Sequence, residues 1–142
     1  MYTVTRKFSF NMAHLINAYI GLENNLHGHS YTCYVKLVGE PINGIVYPLD
    51  KFEFVVQSKI IDKLNNSFAF NSKTNDVFEI ELKELCLENG KKVTVFPYET
   101  TNENIARFIS DEINSELASL LLKCESVTVC EDDNNYATYK EE

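Results

Sequence analysis

The feature that most constrains this chain is a two-residue alternation near its N-terminus that ends on a histidine. In residues 3–14, TVTRKFSFNMAH, the side chains of Phe8, Phe10, Met12 and His14 share one parity. A strand sends alternate side chains to opposite faces, so this spacing predicts a strand whose apolar face ends in an imidazole. Residues 27–38, HGHSYTCYVKLV, are rich in Tyr, Thr and Val and predict a second strand. His27 and His29 lie on it with one residue between them, so their rings share a face about 7 Å apart along the chain. With His14 they are the only three histidines in the sequence. If the two strands are neighbours, His14 closes a triangle around one ion. Three nitrogen ligands leave a fourth position open, the layout of a catalytic zinc and not of a closed structural one. Gly28, between the two rings, lets the chain bend toward an ion. The competing interpretation is three histidines that satisfy ordinary hydrogen bonds.

The remaining elements are mixed. Residues 15–26 predict a loop with Gly21 and an Asn pair, and GEPING at 39–44 is turn chemistry. Phe52, Val55, Val56, Ile60 and Leu64 have helical spacing, which predicts a helix over 50–64 with Asp50 as N-cap. The Asn- and Ser-rich stretch 65–76 breaks it. Residues 77–87 and 91–96 alternate partly, and Glu88-Asn89-Gly90 between them predicts a hairpin over 77–96. Thr100 and Glu103 have the spacing of a capping box. They precede a second amphipathic helix marked by Ile105, Phe108, Ile109, Ile113 and Leu117. Residues 125–131, ESVTVCE, predict a last core strand, with Tyr136 and Tyr139 available to pair or pack beyond it. Strands and helices do not alternate regularly, so the expected class is α+β. A chain of 142 residues, 44% of them hydrophobic, supports one packed domain over 1–142.

A net charge of −8 argues against a nucleic-acid partner, which would need clustered Lys and Arg on phosphates. No apolar run approaches the ~18–20 residues that cross a bilayer, and MYTVTRKFSF lacks the apolar core of a signal peptide. Cys33, Cys86, Cys124 and Cys130 are scattered without a CxxC pair, which fits reduced thiols in a cytoplasmic protein. Cys33 shares the parity of His27 and His29 and is expected as a small core residue.

Read together, these segments resemble the 6-pyruvoyl-tetrahydropterin synthase and 6-carboxy-tetrahydropterin synthase family. The resemblance rests on Phe10 to His14, Leu26 to Tyr31 (LHGHSY), Thr101-x-Glu103-Asn104-Ile105-Ala106, and Val127 to Glu131. In order and spacing it covers about residues 5–139. It implies a four-stranded antiparallel sheet with two helices on one face (the tunnelling fold), the 77–96 hairpin being an addition. It implies a homo-oligomer, a hexamer made of two trimers, with active sites between subunits. It implies a zinc ion on His14, His27 and His29 and a small-molecule pterin substrate. Glu131 matches the family's pterin anchor: one carboxylate can accept from the ring N3–H and the 2-amino group together. Glu103 is a second candidate beside the pterin.

Two positions depart from the family. Its catalytic Cys lies four residues before the first His of HGH, and Glu23 stands there instead. A glutamate variant of the family cleaves the side chain of 7,8-dihydroneopterin triphosphate to 6-hydroxymethyl-7,8-dihydropterin. The resemblance therefore implies Glu23 as the catalytic base. Where the family has Leu-Asp-His after the first helix, this chain has Leu64-Asn65-Asn66, and Asn cannot titrate near neutral pH. The expected function is a zinc-dependent lyase giving a hydroxymethyl-, pyruvoyl- or carboxy-type pterin, with a place in folate or queuosine biosynthesis. The alternative is a non-catalytic paralogue that binds zinc and a pterin.

Overall fold

The computed structural model describes residues 1–18 and 21–142. Strand β1 (Tyr2–His14) and strand β2 (His27–Gly39) pair antiparallel from Tyr2 opposite Gly39 to His14 opposite His27. The period-two stripe predicted for residues 3–14 is real: Phe8, Phe10, Met12 and His14 are buried. On β2 the matching stripe is Tyr31, Cys33, Val35 and Leu37, all fully buried.

The helix expected over 50–64 begins at Leu49, after Pro48, so Asp50 lies in the first turn and is not the cap. There its carboxylate favours the positive end of the helix dipole. The helix is continuous in direction but not in type: α1 (Leu49–Val56) passes through a π-helical turn (Gln57–Ile61) into α2 (Asp62–Leu64). It ends where Asn66 takes a left-handed conformation, with φ of 59°. Asn tolerates that region better than most residues.

The stretch expected as a plain break then forms strand β3 (Ser67–Asn71), buried on Ser67, Ala69, Phe70 and Asn71. It runs parallel to β1. Two parallel strands need a long crossover, usually a helix. Here α3 (Val77–Glu88) joins β3 to β4 (Val93–Phe96), which pairs parallel to β3. The hairpin expected over 77–96 is thus a helix followed by a strand. The physical reason lies at its ends. Asp76 caps the helix by accepting from the Glu79 N–H, and Gly90, at φ of 66°, terminates it. Between them Leu, Glu and Lys dominate, and all three favour helix over strand.

Helix α4 (Asn102–Leu117) buries Ile105, Ala106, Ile109, Ile113 and Leu117. Its cap is Thr101, whose hydroxyl accepts from the Asn104 N–H. The expected capping box of Thr100 and Glu103 does not form, because the helix starts one residue later and Thr100 is engaged elsewhere. Strands β5 (Leu122–Cys130) and β6 (Tyr136–Lys140) complete a sheet of order β4-β3-β1-β2-β5-β6.

The fold is α+β, as expected, but the sheet is not a four-stranded antiparallel one. Strands β1, β2, β5 and β6 form the antiparallel part, and β3 and β4 extend it in parallel from the β1 edge. Both amphipathic helices pack with the buried stripes of β1, β2 and β5 in one core. Among the described residues no helix is long and apolar enough to cross a membrane.

Candidate metal centre

The buried stripes of β1 and β2 do not simply stop; they end in histidines. His14 is the last residue of β1 and lies opposite His27, the first of β2, while His29 lies opposite Met12. All three rings therefore leave the sheet on the core side, at its open end. One nitrogen from each lies within 4.8 Å of the others. An ion with zinc-like Zn–N bonds and tetrahedral angles would want separations of about 3.3 Å.

Hydrogen bonds set the orientation of two of the rings. His14 Nδ1 lies 2.9 Å from the Thr100 carbonyl oxygen and 3.1 Å from its hydroxyl. His27 Nδ1 lies 2.7 Å from the Asn25 carbonyl oxygen. A carbonyl only accepts, so each Nδ1 carries a proton and, in the neutral ring, the lone pair is on Nε2. Those two lone pairs face each other across 3.1 Å. Such a contact repels unless a cation lies between them. A proton could serve in principle, but burial, followed by the neighbouring His27 charge, pushes the His14 pKa down to about 4. The third ring adds an unsatisfied atom: His29 Nε2 is buried and has no hydrogen-bond partner. Glu131 Oε2 approaches it to 3.4 Å, near enough for charge attraction but out of line for a hydrogen bond. Burial lowers the His29 pKa as well, opposed by the negative charges of Glu131, Asp132 and Glu23. Three imidazole nitrogens brought together beside the Glu131 carboxylate are a donor set suited to a divalent cation.

Glu131 follows the last paired residue of β5 and keeps the parity of the buried Val127 and Val129, so it reaches the site as His29 does. Its turn is braced: Asp132 Oδ1 accepts from the Asn134 and Asn135 amides, and the Glu131 N–H donates to the Asn135 carbonyl at 3.1 Å. Glu23 lies half-buried in a short 3-10 turn (Leu22–Asn24), and its carbonyl accepts from the Ile16 N–H at 2.8 Å. Glu103 is exposed on the first turn of α4. Cys33 lies in the core, fully buried, with its thiol pKa raised by that burial.

An open groove of about 460 Å³ runs past His29, the one histidine that lines it, between Asn11, Ala13 and Ser30 on the outward face of the sheet and Asn66 and Phe68 beyond the β1 edge. A Cβ added at Gly28 would meet nothing nearer than the Met12 carbonyl at 3.6 Å, so neither space nor backbone demands glycine there. Asn66 lines this groove. Asn65 is used structurally: its Oδ1 accepts from the Asn11 N–H at 2.9 Å.

Sequence reasoning missed Thr100, which holds His14, and Tyr31, a fully buried phenol whose oxygen lies 3.4 Å from His14 Nε2. Burial raises the pKa of Tyr31, so it stays protonated as a potential donor to the site. Tyr31 was signalled by its parity with His27 and His29; Thr100 had only its place before the Thr101 to Asn104 segment.

The comparisons with known proteins agree with this fold. The 6-pyruvoyl tetrahydropterin synthase family model matches residues 3–142. The 6-carboxy-5,6,7,8-tetrahydropterin synthase of Haemophilus influenzae is 28% identical, over 99% of this chain and 100% of its own length. The crystal structure of Plasmodium vivax 6-pyruvoyl tetrahydropterin synthase superposes with a TM-score of 0.72 at 20% identity, covering 99% of both chains. A form of the Plasmodium vivax enzyme in which a catalytic glutamate is replaced by alanine superposes with a TM-score of 0.71, again at 20% identity and 99% of both chains.

Proposed function

Because the chain belongs to the 6-pyruvoyl tetrahydropterin synthase family, we propose that it is a zinc-dependent lyase acting on the side chain of 7,8-dihydroneopterin triphosphate. The observation that carries this is the pair of imidazole nitrogens, His14 Nε2 and His27 Nε2, 3.1 Å apart, beside the unpartnered His29 Nε2 and the Glu131 carboxylate. His14, His27 and His29 would hold the ion. When bound, zinc supplies Lewis acidity, lowering the pKa of side-chain hydroxyls and stabilising oxyanion charge.

The rest of the work falls to the chain's own groups. Glu131 accepts from the pterin N3–H and 2-amino group and so fixes the ring; its braced turn limits how far it can move. Glu103, three residues beyond Thr100, is the second carboxylate assigned to the pterin. Glu23 takes a proton from the substrate side chain. Removing the 2′-hydroxyl proton makes that carbon an aldehyde and breaks the C1′–C2′ bond. The electron pair left on C1′ is then protonated, giving 6-hydroxymethyl-7,8-dihydropterin. A carbon-bound proton taken instead leads to loss of triphosphate and a pyruvoyl-type product. That a glutamate is catalytic in the Plasmodium vivax enzyme supports the role of Glu23. The relative named for a 6-carboxy product keeps that outcome in view. A hexamer of two trimers, located in the cytoplasm, is the expected working form, with neighbouring subunits supplying cations for the triphosphate.

One observation favours a second reading. Asn65 and Asn66 replace the titratable pair, and Asn65 is committed to the backbone of β1. This suits a paralogue that binds zinc and a pterin without turning it over.

The test is to load tag-free protein with zinc, add 7,8-dihydroneopterin triphosphate, and identify products by mass. Hydroxymethyl-dihydropterin supports the lyase with Glu23 as base. A pyruvoyl or carboxy product keeps the lyase and reassigns the proton that Glu23 takes. Unconsumed substrate at one zinc per chain favours the binding paralogue. No zinc at all refutes both.

A further inference from the structure

We propose that Glu79, on α3, is a positioning residue that fixes the turn carrying Glu23, acting through Asn17 and Asn24. The inference rests on the role given to Glu23 above.

Helix α3 buries only two side chains, Glu79 and Cys86, and leaves Val77, Phe78, Ile80, Leu85 and Leu87 exposed. A helix that contributes so little apolar surface to the core, yet buries a carboxylate to 1% exposure, is placed to deliver that carboxylate. Both carboxylate oxygens are used. Glu79 Oε2 accepts from the Asn71 N–H at 2.7 Å, tying α3 to the end of β3. Glu79 Oε1 accepts from Asn17 Nδ2 at 2.7 Å, across 62 residues of chain.

That second bond fixes which way the Asn17 amide points. Its nitrogen is committed to Glu79, so its oxygen faces the loop, where it accepts from Asn24 Nδ2 at 2.9 Å. Asn24 is the neighbour of Glu23 in the 3-10 turn. The Asn17 backbone N–H is held by Glu99 Oε2 at 3.3 Å, and the Ile16 N–H donates to the Glu23 carbonyl at 2.8 Å. Glu79 thus anchors one end of a line of amides whose other end is the turn bearing the proposed base. The Glu23 turn buries no side chain of its own. Among the described residues, the line of amides and the Ile16 N–H to Glu23 carbonyl bond are what tie this turn to the rest of the chain.

The experiment compares wild-type protein, Asn24→Ala, Glu79→Ala and Glu23→Gln, with each of the first two changes also made in the Glu23→Gln background. Asn24 is exposed, so its removal leaves the core intact if Glu79→Ala fails to fold. Exchange of the Ile16 amide, followed by NMR, should quicken about fivefold in Asn24→Ala, as expected for losing one supporting hydrogen bond. Zinc content should stay at the wild-type value. Turnover should fall about 10–100-fold with KM unchanged, the scale expected for a misplaced catalytic group. In the Glu23→Gln background the same changes should cost nothing further, because they act only through Glu23. Unchanged Ile16 exchange in Asn24→Ala would overturn the proposal. So would a loss of turnover that multiplies with that of Glu23→Gln. Failure of the functional reading looks different: either Glu23→Gln turns over at the wild-type rate, or the wild-type protein does not turn over. The catalytic purpose is then gone, and Ile16 exchange alone decides whether the line of amides holds the turn.

Discussion

Thr100→Val tests whether the pairing of His14 with Thr100 prepares the metal centre. Thr100 is buried, and its carbonyl and hydroxyl oxygens lie 2.9 and 3.1 Å from His14 Nδ1. Valine keeps the branched shape and the backbone carbonyl while deleting the hydroxyl. The ring keeps its tautomer but loses one of the two groups that fix its tilt. Partners of this kind are worth about 10–100-fold in metal affinity, and half of the pair survives, so a loss of about tenfold is expected. That corresponds to about 1.4 kcal/mol. The assay is competition for zinc against a chelator of known affinity. Denaturant unfolding of the metal-free proteins in parallel should show a difference below about 1 kcal/mol, since no buried donor is left without an acceptor. His14→Ala sets the scale for a lost ligand. Unchanged affinity in Thr100→Val would show that the hydroxyl does not orient the ring. A loss as large as that of His14→Ala would show that the surviving carbonyl cannot hold the tautomer. Nitrogen shifts of His14 in the metal-free protein supply an independent check: a proton on Nε2 would refute the facing lone pairs outright.

Three further outcomes follow from the same geometry. Glu131→Gln leaves one acceptor and adds a donor opposite two pterin donors, so pterin affinity measured by fluorescence titration should drop about 10–100-fold, in line with ~1.5–3 kcal/mol for a hydrogen bond to a charged group, with zinc content unchanged. In the metal-free protein the folded His14 pKa is pushed down to about 4, while the unfolded chain takes that proton near ~6.5. Stability present above ~6.5 should therefore be lost as pH falls toward 4, by about 3 kcal/mol, and His14→Gln should remove that part of the pH dependence in denaturant titrations. Asn66 holds a φ of 59°, so Asn66→Val should cost about 1–3 kcal/mol in thermal unfolding while Asn66→Gly stays within about 1 kcal/mol.

What was legible in the sequence was what local periodicity encodes. The parity of Phe8, Phe10, Met12 and His14 set the buried face of β1, and the parity of His27 and His29 set the same face of β2. Because the three histidines end two core stripes, a pattern that predicts the core also predicts which way they point. Two elements were misread where short-range signals compete. The stretch 77–87 alternates enough to suggest a strand, but Asp76 and Gly90 supply a cap and a stop, and helix formers fill the interval. Residues 67–71, SFAFN, sit among Asn and Ser, so a buried parallel strand of five residues passed for part of a loop.

The supports of the site were illegible for a different reason. Thr100 meets His14 across 86 residues, and Glu79 meets Asn17 across 62. No period or motif links such pairs, because each exists only once the sheet has brought distant segments together. The two contacts also explain why β3, α3 and β4 bear on the histidine cluster at all. The crossover returns the chain to 99–104, where Glu99 holds Asn17, Thr100 holds His14, and Asn104 ties the Glu99 carbonyl to the start of α4. His14 on β1 and the loop that follows it are thus braced by one short segment. Removing both side chains of that segment, in a Glu99→Ala/Thr100→Val double variant, should therefore loosen His14 and the Glu23 loop together, whereas Thr100→Val alone should loosen His14 and Asn24→Ala the loop. Zinc affinity and Ile16 exchange, measured on Thr100→Val and Asn24→Ala side by side, would separate these two supports. If Asn24→Ala weakened zinc as much as Thr100→Val does, the bracing would not be divided in this way.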